Sequence, residues 1–152
     1  MIYIKRKSLL DTTADIIICP VSKDGIVGNG LIKDIFYKYP DIYPSYMHML
    51  LFNRNTFLTF DNPSQQRICF FVTKNKATEP ANIDCIAESL VSFSEYIFPN
   101  DATIAVPELG YGDIDWIDVE QLLYQYLDAI PQKVYLCKNK DDRRKAIDAK
   151  KE

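Results

Sequence analysis

The chain has 152 residues, 47% hydrophobic and 26% charged, with a net charge of −3 and a mean hydropathy of −0.16. Such a length and composition describe one globular domain, and the slight acidity argues against a broad nucleic-acid-coating surface. No apolar run approaches a membrane span, and Lys5, Arg6 and Lys7 are followed only by Leu9 and Leu10, so neither an anchor nor a signal peptide is expected and the protein reads as cytoplasmic.

In chain order, Ile2 to Ile4 reads as a first strand, and Leu9 and Leu10 precede a turn at Asp11 to Ala14. Ile16 to Cys19 is an unbroken apolar run that suits a strand covered on both faces, with Pro20 expected to break it. Three of the five glycines, Gly25, Gly28 and Gly30, then precede an amphipathic helix carrying Leu31, Ile32, Ile35, Phe36 and Tyr39. Glycines permit positive φ and close backbone approach, and a helix N-terminus offers unpaired amides, so this loop suits an anion or a sugar. Its order, G-x-x-G-x-G with no G-K-[ST] following, excludes both the dinucleotide fingerprint and the Walker loop.

Pro40 and Pro44 are expected to end that helix, and Tyr43, Tyr46, Met47, Met49 and Leu50 suggest a short amphipathic helix or turn. Thr56 to Phe60 and Ile68 to Val72 read as a strand pair joined through Asn62, Pro63 and Ser64. Beyond Thr73-Lys74-Asn75-Lys76 and Pro80, a helix capped by Asn82 buries Ile83, Ile86, Leu90, Phe93 and Ile97 and stops at Pro99 and Asn100. Ala102 to Val106 is a further buried strand that runs into a second glycine loop, Pro107-Glu108-Leu109-Gly110-Tyr111-Gly112-Asp113. Asp115 caps the next helix, whose apolar face is Val119, Leu122, Leu123, Tyr126, Leu127 and Ile130, and Lys133 to Cys137 is the last strand. The pattern is a mixed α/β layer fold. In open α/β sheets ligands sit beyond the carboxyl ends of strands, so the two glycine loops are expected to face one cleft, and a diphosphate is the simplest ligand for them.

Cys19, Cys69, Cys85 and Cys137 form no C-x-x-C pair and read as reduced core cysteines; His48 has no metal-ligand spacing to any of them, so no metal is expected. From Lys138 to Glu152 seven basic and four acidic residues give +3, which leaves residues 1–137 at −6. The domain is expected to span residues 1–138, with residues 139–152 as a charged, solvated tail.

The sequence resembles the macro domain, the ADP-ribose-binding family, from Ile2 to Cys137. The likeness is to the small-hydrolase subgroup that includes terminal ADP-ribose protein glycohydrolase and the DNA ADP-ribosyl glycohydrolase antitoxin. That subgroup carries G-V-M-G-K-G-[IL]-A and K-x-[FY]-P, matched here by Gly25-Ile26-Val27-Gly28-Asn29-Gly30-Leu31-Ile32 and by Lys38, Tyr39 and Pro40. A T-K after a strand is matched by Thr73-Lys74, and P-x-[IL]-G-x-G with a following Trp by Pro107, Leu109, Gly110, Gly112 and Trp116.

The resemblance implies a three-layer fold, a mixed central sheet flanked by helices, and a monomer that takes no cofactor. It implies that Ser22, Asp24, Gly25, Ile26, Val27, Gly28, Asn29, Gly30 and Leu31 hold the diphosphate and distal ribose, with Thr73 beside them and Pro107, Leu109, Gly110, Tyr111 and Gly112 closing the other side. Lys74 matches the lysine that attacks the distal ribose, which an amine can do only when neutral. Asp113 is then its acidic partner, with Asp115 competing because the segment before Trp116 is about two residues short of the family pattern. Where the family has Gly-Asp for adenine this chain has Arg6-Lys7-Ser8, leaving Ser8, Asp15 or backbone groups for that contact. The implied activity is hydrolysis of an ADP-ribosyl linkage on protein or nucleic acid. The alternatives are ADP-ribose 1″-phosphate phosphatase, with Asp24 and Asn29 at the phosphate, and a non-catalytic reader of ADP-ribose or another NAD-derived nucleotide.

Overall fold

A computed structural model describes residues 2–6, 8–28, 31–51, 56–61 and 66–138. Six strands form one sheet in the order β1-β6-β5-β2-β4-β3: β1 Ile2–Lys5, β2 Ile16–Ser22, β3 Thr56–Asp61, β4 Arg67–Lys74, β5 Thr103–Pro107 and β6 Lys133–Cys137. All neighbours pair in parallel except β3, which runs antiparallel to β4 at the edge. The helices are α1 Leu31–Lys38, α2 Tyr43–Leu51, α3 Ile83–Ser94 and α4 Trp116–Leu127. The crossover from β2 to β4 steps one way along the sheet, while those through α3 and α4 step the other. Right-handed crossovers therefore place α1 and α2 on one face and α3 and α4 on the other. The result is three layers.

The apolar runs read from the sequence form the centre. Ile16, Ile17, Ile18, Cys19 and Val21 of β2 and Ile68 to Val72 of β4 are all at most 2% exposed, as expected of parallel strands covered on both faces. On one side Phe36, Tyr46 and Phe70 form an aromatic cluster with ring centroids 5.4 to 6.2 Å apart. On the other, Ser89 Oγ of α3 donates to the Val72 carbonyl of β4 at 2.9 Å, which satisfies a polar group inside the apolar layer.

Local expectations are corrected at four places. The break at Pro20 does not occur, because β2 continues to Ser22 with Pro20 opposite Phe71. β5 pairs β2 only at Ile16 and Ile17, so β2 has parted from β5 before Pro20 and no ladder donor is required there. Pro44 does not end a helix but sits in the first turn of α2, where its missing N–H would have no intrahelical acceptor. The helix after Asn82 stops at Ser94, and Ile97 is 96% exposed instead of buried. Once the chain leaves the helix its three-and-four spacing no longer faces the core, and Phe98 fills the place, 5.4 Å from the Phe93 ring. Asp15, one of the adenine alternatives, lies at the amino end of β2 and accepts from the Thr103 amide at 2.9 Å, across the sheet from the glycine loops. The turn through Asn62 to Ser64 and the tail 139–152 lie outside the described residues.

Candidate functional site

A cleft of about 410 Å³ opens at the carboxyl ends of β2, β4 and β5. β2 and its loop supply Pro20, Val21, Ser22, Ile26 and Gly28, and α1 supplies Leu31 and Ile32. Thr73, Lys74, Ala77 and Ala81 come from β4 and the connection to α3, and Pro107, Glu108, Leu109, Gly110, Tyr111 and Asp113 from β5 and the second glycine loop. Of the site residues expected from the sequence, Asp24, Gly25, Val27 and Gly112 do not line the cleft, and Asn29 and Gly30 lie outside the described residues.

The first loop is built around a carboxylate. Ser22 to Gly25 forms a turn, with the Gly25 amide donating to the Ser22 carbonyl at 3.3 Å and Gly25 at φ 81°, a conformation that suits glycine. Asp24 Oδ1 lies 2.8 Å from Ser22 Oγ and accepts the Ile26 amide at 3.0 Å, while Oδ2 accepts the Ala77 amide at 2.9 Å. Burial alone would raise the Asp24 carboxyl, but the Ala77 and Ile26 amides and the Ser22 hydroxyl bring it below its ordinary value of 3.8. Ser22 itself is buried, and its carbonyl accepts the Tyr46 hydroxyl at 2.8 Å, so α2 supports the loop from behind. Tyr46 was legible in the sequence only as part of an apolar face.

The second loop turns at Gly110, whose carbonyl accepts the amides of Asp113 and Ile114, both at 3.0 Å. Gly110 has φ 71°, a backbone conformation that disfavours any side chain, and a Cβ there would lie 2.8 Å from Ile114 Cδ1, which would have to shift. Gly28 is the opposite case: a Cβ would meet nothing within 4 Å. Asp113 Oδ2 accepts the Ala81 amide at 2.9 Å, whereas Asp115 Oδ1 caps α4 by accepting the Ile117 amide at 3.4 Å. Geometry therefore puts Asp113 at the cleft and leaves Asp115 as a helix cap. Lys74 is half-buried at the end of β4, where its carbonyl accepts the Lys23 amide at 2.9 Å, and Thr73 beside it is buried.

Lys38, Tyr39 and Pro40 are away from the cleft and have an architectural role. Lys38 Nζ donates to the Leu10 carbonyl, and the Tyr39 hydroxyl to Gln66 Oε1 at 2.8 Å, while Gln66 Nε2 reaches the Thr12 and Ala14 carbonyls. Ser8 accepts the Leu10 amide and caps a 3-10 turn at Leu9–Asp11. Among the described residues no group of three or more His, Cys, Asp or Glu is placed to hold a metal ion, and no helix is long and apolar enough to cross a membrane.

No family model matches the sequence, and no curated protein matches it. Its similarity to solved structures is pronounced. The macrodomain of Thermus aquaticus DarG aligns with a TM-score of 0.81 at 23% identity, over 90% of this chain and 97% of that one. The chain has the macrodomain fold. The macrodomain of Mycobacterium tuberculosis DarG gives 0.79 at 25% identity over the same shares, 90% and 97%. Thermosipho africanus DarTG, in complex with ADP-ribose, gives 0.76 at 21% identity over 89% of this chain and 41% of that one. In this fold the glycine loops that face each other come from β2 and β5, strands that are neighbours in the sheet although distant in sequence.

Proposed function

We propose that the cleft binds ADP-ribose and that the protein hydrolyses an ADP-ribosyl linkage on protein or nucleic acid. The observation that carries this is the convergence of two glycine loops with Lys74 and Asp113 in one cleft. ADP-ribose in the similar Thermosipho structure supports the ligand class. The backbone amides of the loop after β2 and of Leu109 to Gly112 take the diphosphate, since amides held by a fixed turn need no reorganisation on binding. The Lys74 amine bonds to the anomeric carbon of the distal ribose as the linkage to the modified group breaks. Water then displaces the lysine, Asp113 accepts its proton, and that proton finally neutralises the departed group. Of the two phosphatase candidates, Asp24 already accepts hydrogen bonds within the protein on both of its oxygens, and Asn29 lies outside the described residues.

Gly28→Glu tests binding cleanly, because that position has room for a side chain and its carboxylate would enter the cleft. Titration calorimetry is expected to show ADP-ribose binding of about micromolar strength for the wild type and none for the variant, with equal melting temperatures. No binding by the wild type would reject the reading. For the chemistry, ADP-ribosylated DNA and ADP-ribosylated protein are incubated with the wild type and Lys74→Ala. Activity fully retained by the variant would reject the lysine mechanism, and binding without turnover in the wild type would leave a reader.

A further inference from the structure

The connection from Lys74 to Asn82 joins β4 to α3, carries two of the residues that line the cleft beyond Lys74, and is fastened at both ends. At its start the Lys74 carbonyl accepts the Lys23 amide at 2.9 Å, and at its end the Asn82 amide donates to the Thr73 carbonyl at 2.7 Å. Between these backbone bonds, two carboxylates reach it from the opposing glycine loops. Asp24 takes the Ala77 amide, 53 residues away in sequence, and Asp113 takes the Ala81 amide, 32 residues away. We infer that Asp24 is a positioning residue: by clamping Ala77 to the loop after β2, it sets the location of the Lys74 side chain across from the glycine-loop ligand site.

The clamp is directional. Asp24 Oδ1 faces inward to its own turn, on Ser22 Oγ and the Ile26 amide, while Oδ2 alone crosses to Ala77. An amide side chain cannot reproduce this, because one of its two ends is a donor and would confront an N–H on one side or the other. Asp24 does not itself line the cleft, but its Oδ1 partners Ser22 and Ile26 do, so its loss frees the connection and loosens the first loop together. Asp113 is less informative as a probe, since it lines the cleft as well as holding Ala81. The inference rests on the hydrolase reading for its consequence on turnover, but not for the clamp itself.

The test compares wild type, Asp24→Ala, Lys74→Ala and the double variant by amide exchange, ADP-ribose titration and turnover of the ADP-ribosylated substrate. In Asp24→Ala the Ala77 amide is expected to exchange about tenfold faster or more, with the amides of α3 unchanged. Its ADP-ribose affinity is expected to fall as the Ile26 amide is released, and kcat at saturating substrate is expected to fall about tenfold or more. Adding Asp24→Ala to Lys74→Ala should then cause no further loss of turnover, because the carboxylate acts through the lysine. Unchanged exchange at Ala77 would overturn the clamp, and an equal further loss in the Lys74→Ala background would overturn its action through Lys74. A wild type that binds ADP-ribose but turns over neither ADP-ribosylated DNA nor protein would overturn the hydrolase reading, and the clamp would then stand or fall on the exchange result.

Discussion

Tyr46 shows how a residue away from the cleft can hold one of its loops. Its side chain is fully buried against Phe36 and Phe70, and its only polar atom donates to the Ser22 carbonyl where β2 becomes the first loop. Tyr46→Phe keeps the ring packing but leaves that carbonyl with only the longer bond from the Gly25 amide, and is expected to cost about 1 kcal/mol in denaturant unfolding. A cost below the error of the measurement would mean that the Gly25 amide alone satisfies the Ser22 carbonyl. Asp24 carries the pH dependence at this scale. Its folded value lies below its ordinary 3.8, so the stability it contributes is present above about pH 4 and is lost as pH falls through the folded value. Carbon NMR of the Asp24 carboxyl should give a midpoint below 3.8, and a midpoint at or above it would show that the bonds to Ala77 and Ile26 do not persist in solution. The two cleft glycines differ for reasons that no sequence pattern distinguishes. Gly110→Ala meets Ile114 and a positive φ and is expected to lower stability by about 1–3 kcal/mol, whereas Gly28→Ala meets neither.

Among the elements, α3 was legible in its start and not in its end. Asn82 accepts the Asp84 amide at 2.8 Å, a local bond between neighbours in sequence, and a side chain of that type before an apolar run announces it. The end is decided by packing. Ile97 continues the apolar period, yet the core receives Phe98, which lies between Phe93 and Tyr96. Phe98→Ala is therefore expected to destabilise by about 3 kcal/mol, and Ile97→Asn to change stability by no more than about 0.5 kcal/mol, both read from denaturant midpoints. The reverse ranking would restore the longer helix. The strands were legible because apolar runs bounded by breakers are short-range signals, and β2 was misjudged only at Pro20, where the outcome depended on which neighbour β2 still had.

At the scale of the molecule, the sheet order brings the site together. β5 lies beside β2, and β2 beside β4, so loops that leave the same end of three adjacent strands share a cleft although they are spread from Ser22 to Asp113 along the chain. The described core closes at β6, which ends at Cys137. Removing residues 139–152, which carry little apolar side chain, is expected to leave the melting temperature within about 2 °C of the full chain, and a larger drop would show that the tail packs on the domain. The sequence by itself determined the layer class, the two glycine loops, the capping residues and the pairing of Thr73 with Lys74, because each rests on contacts or conformations within a few residues. Only the tertiary structure decided that Asp113 faces the cleft, that Tyr46 holds Ser22, and that Asp24 reaches Ala77 instead of the cleft. Those assignments depend on where the sheet order carries a hydrogen-bond partner that is distant in sequence, and local sequence holds no record of that distance.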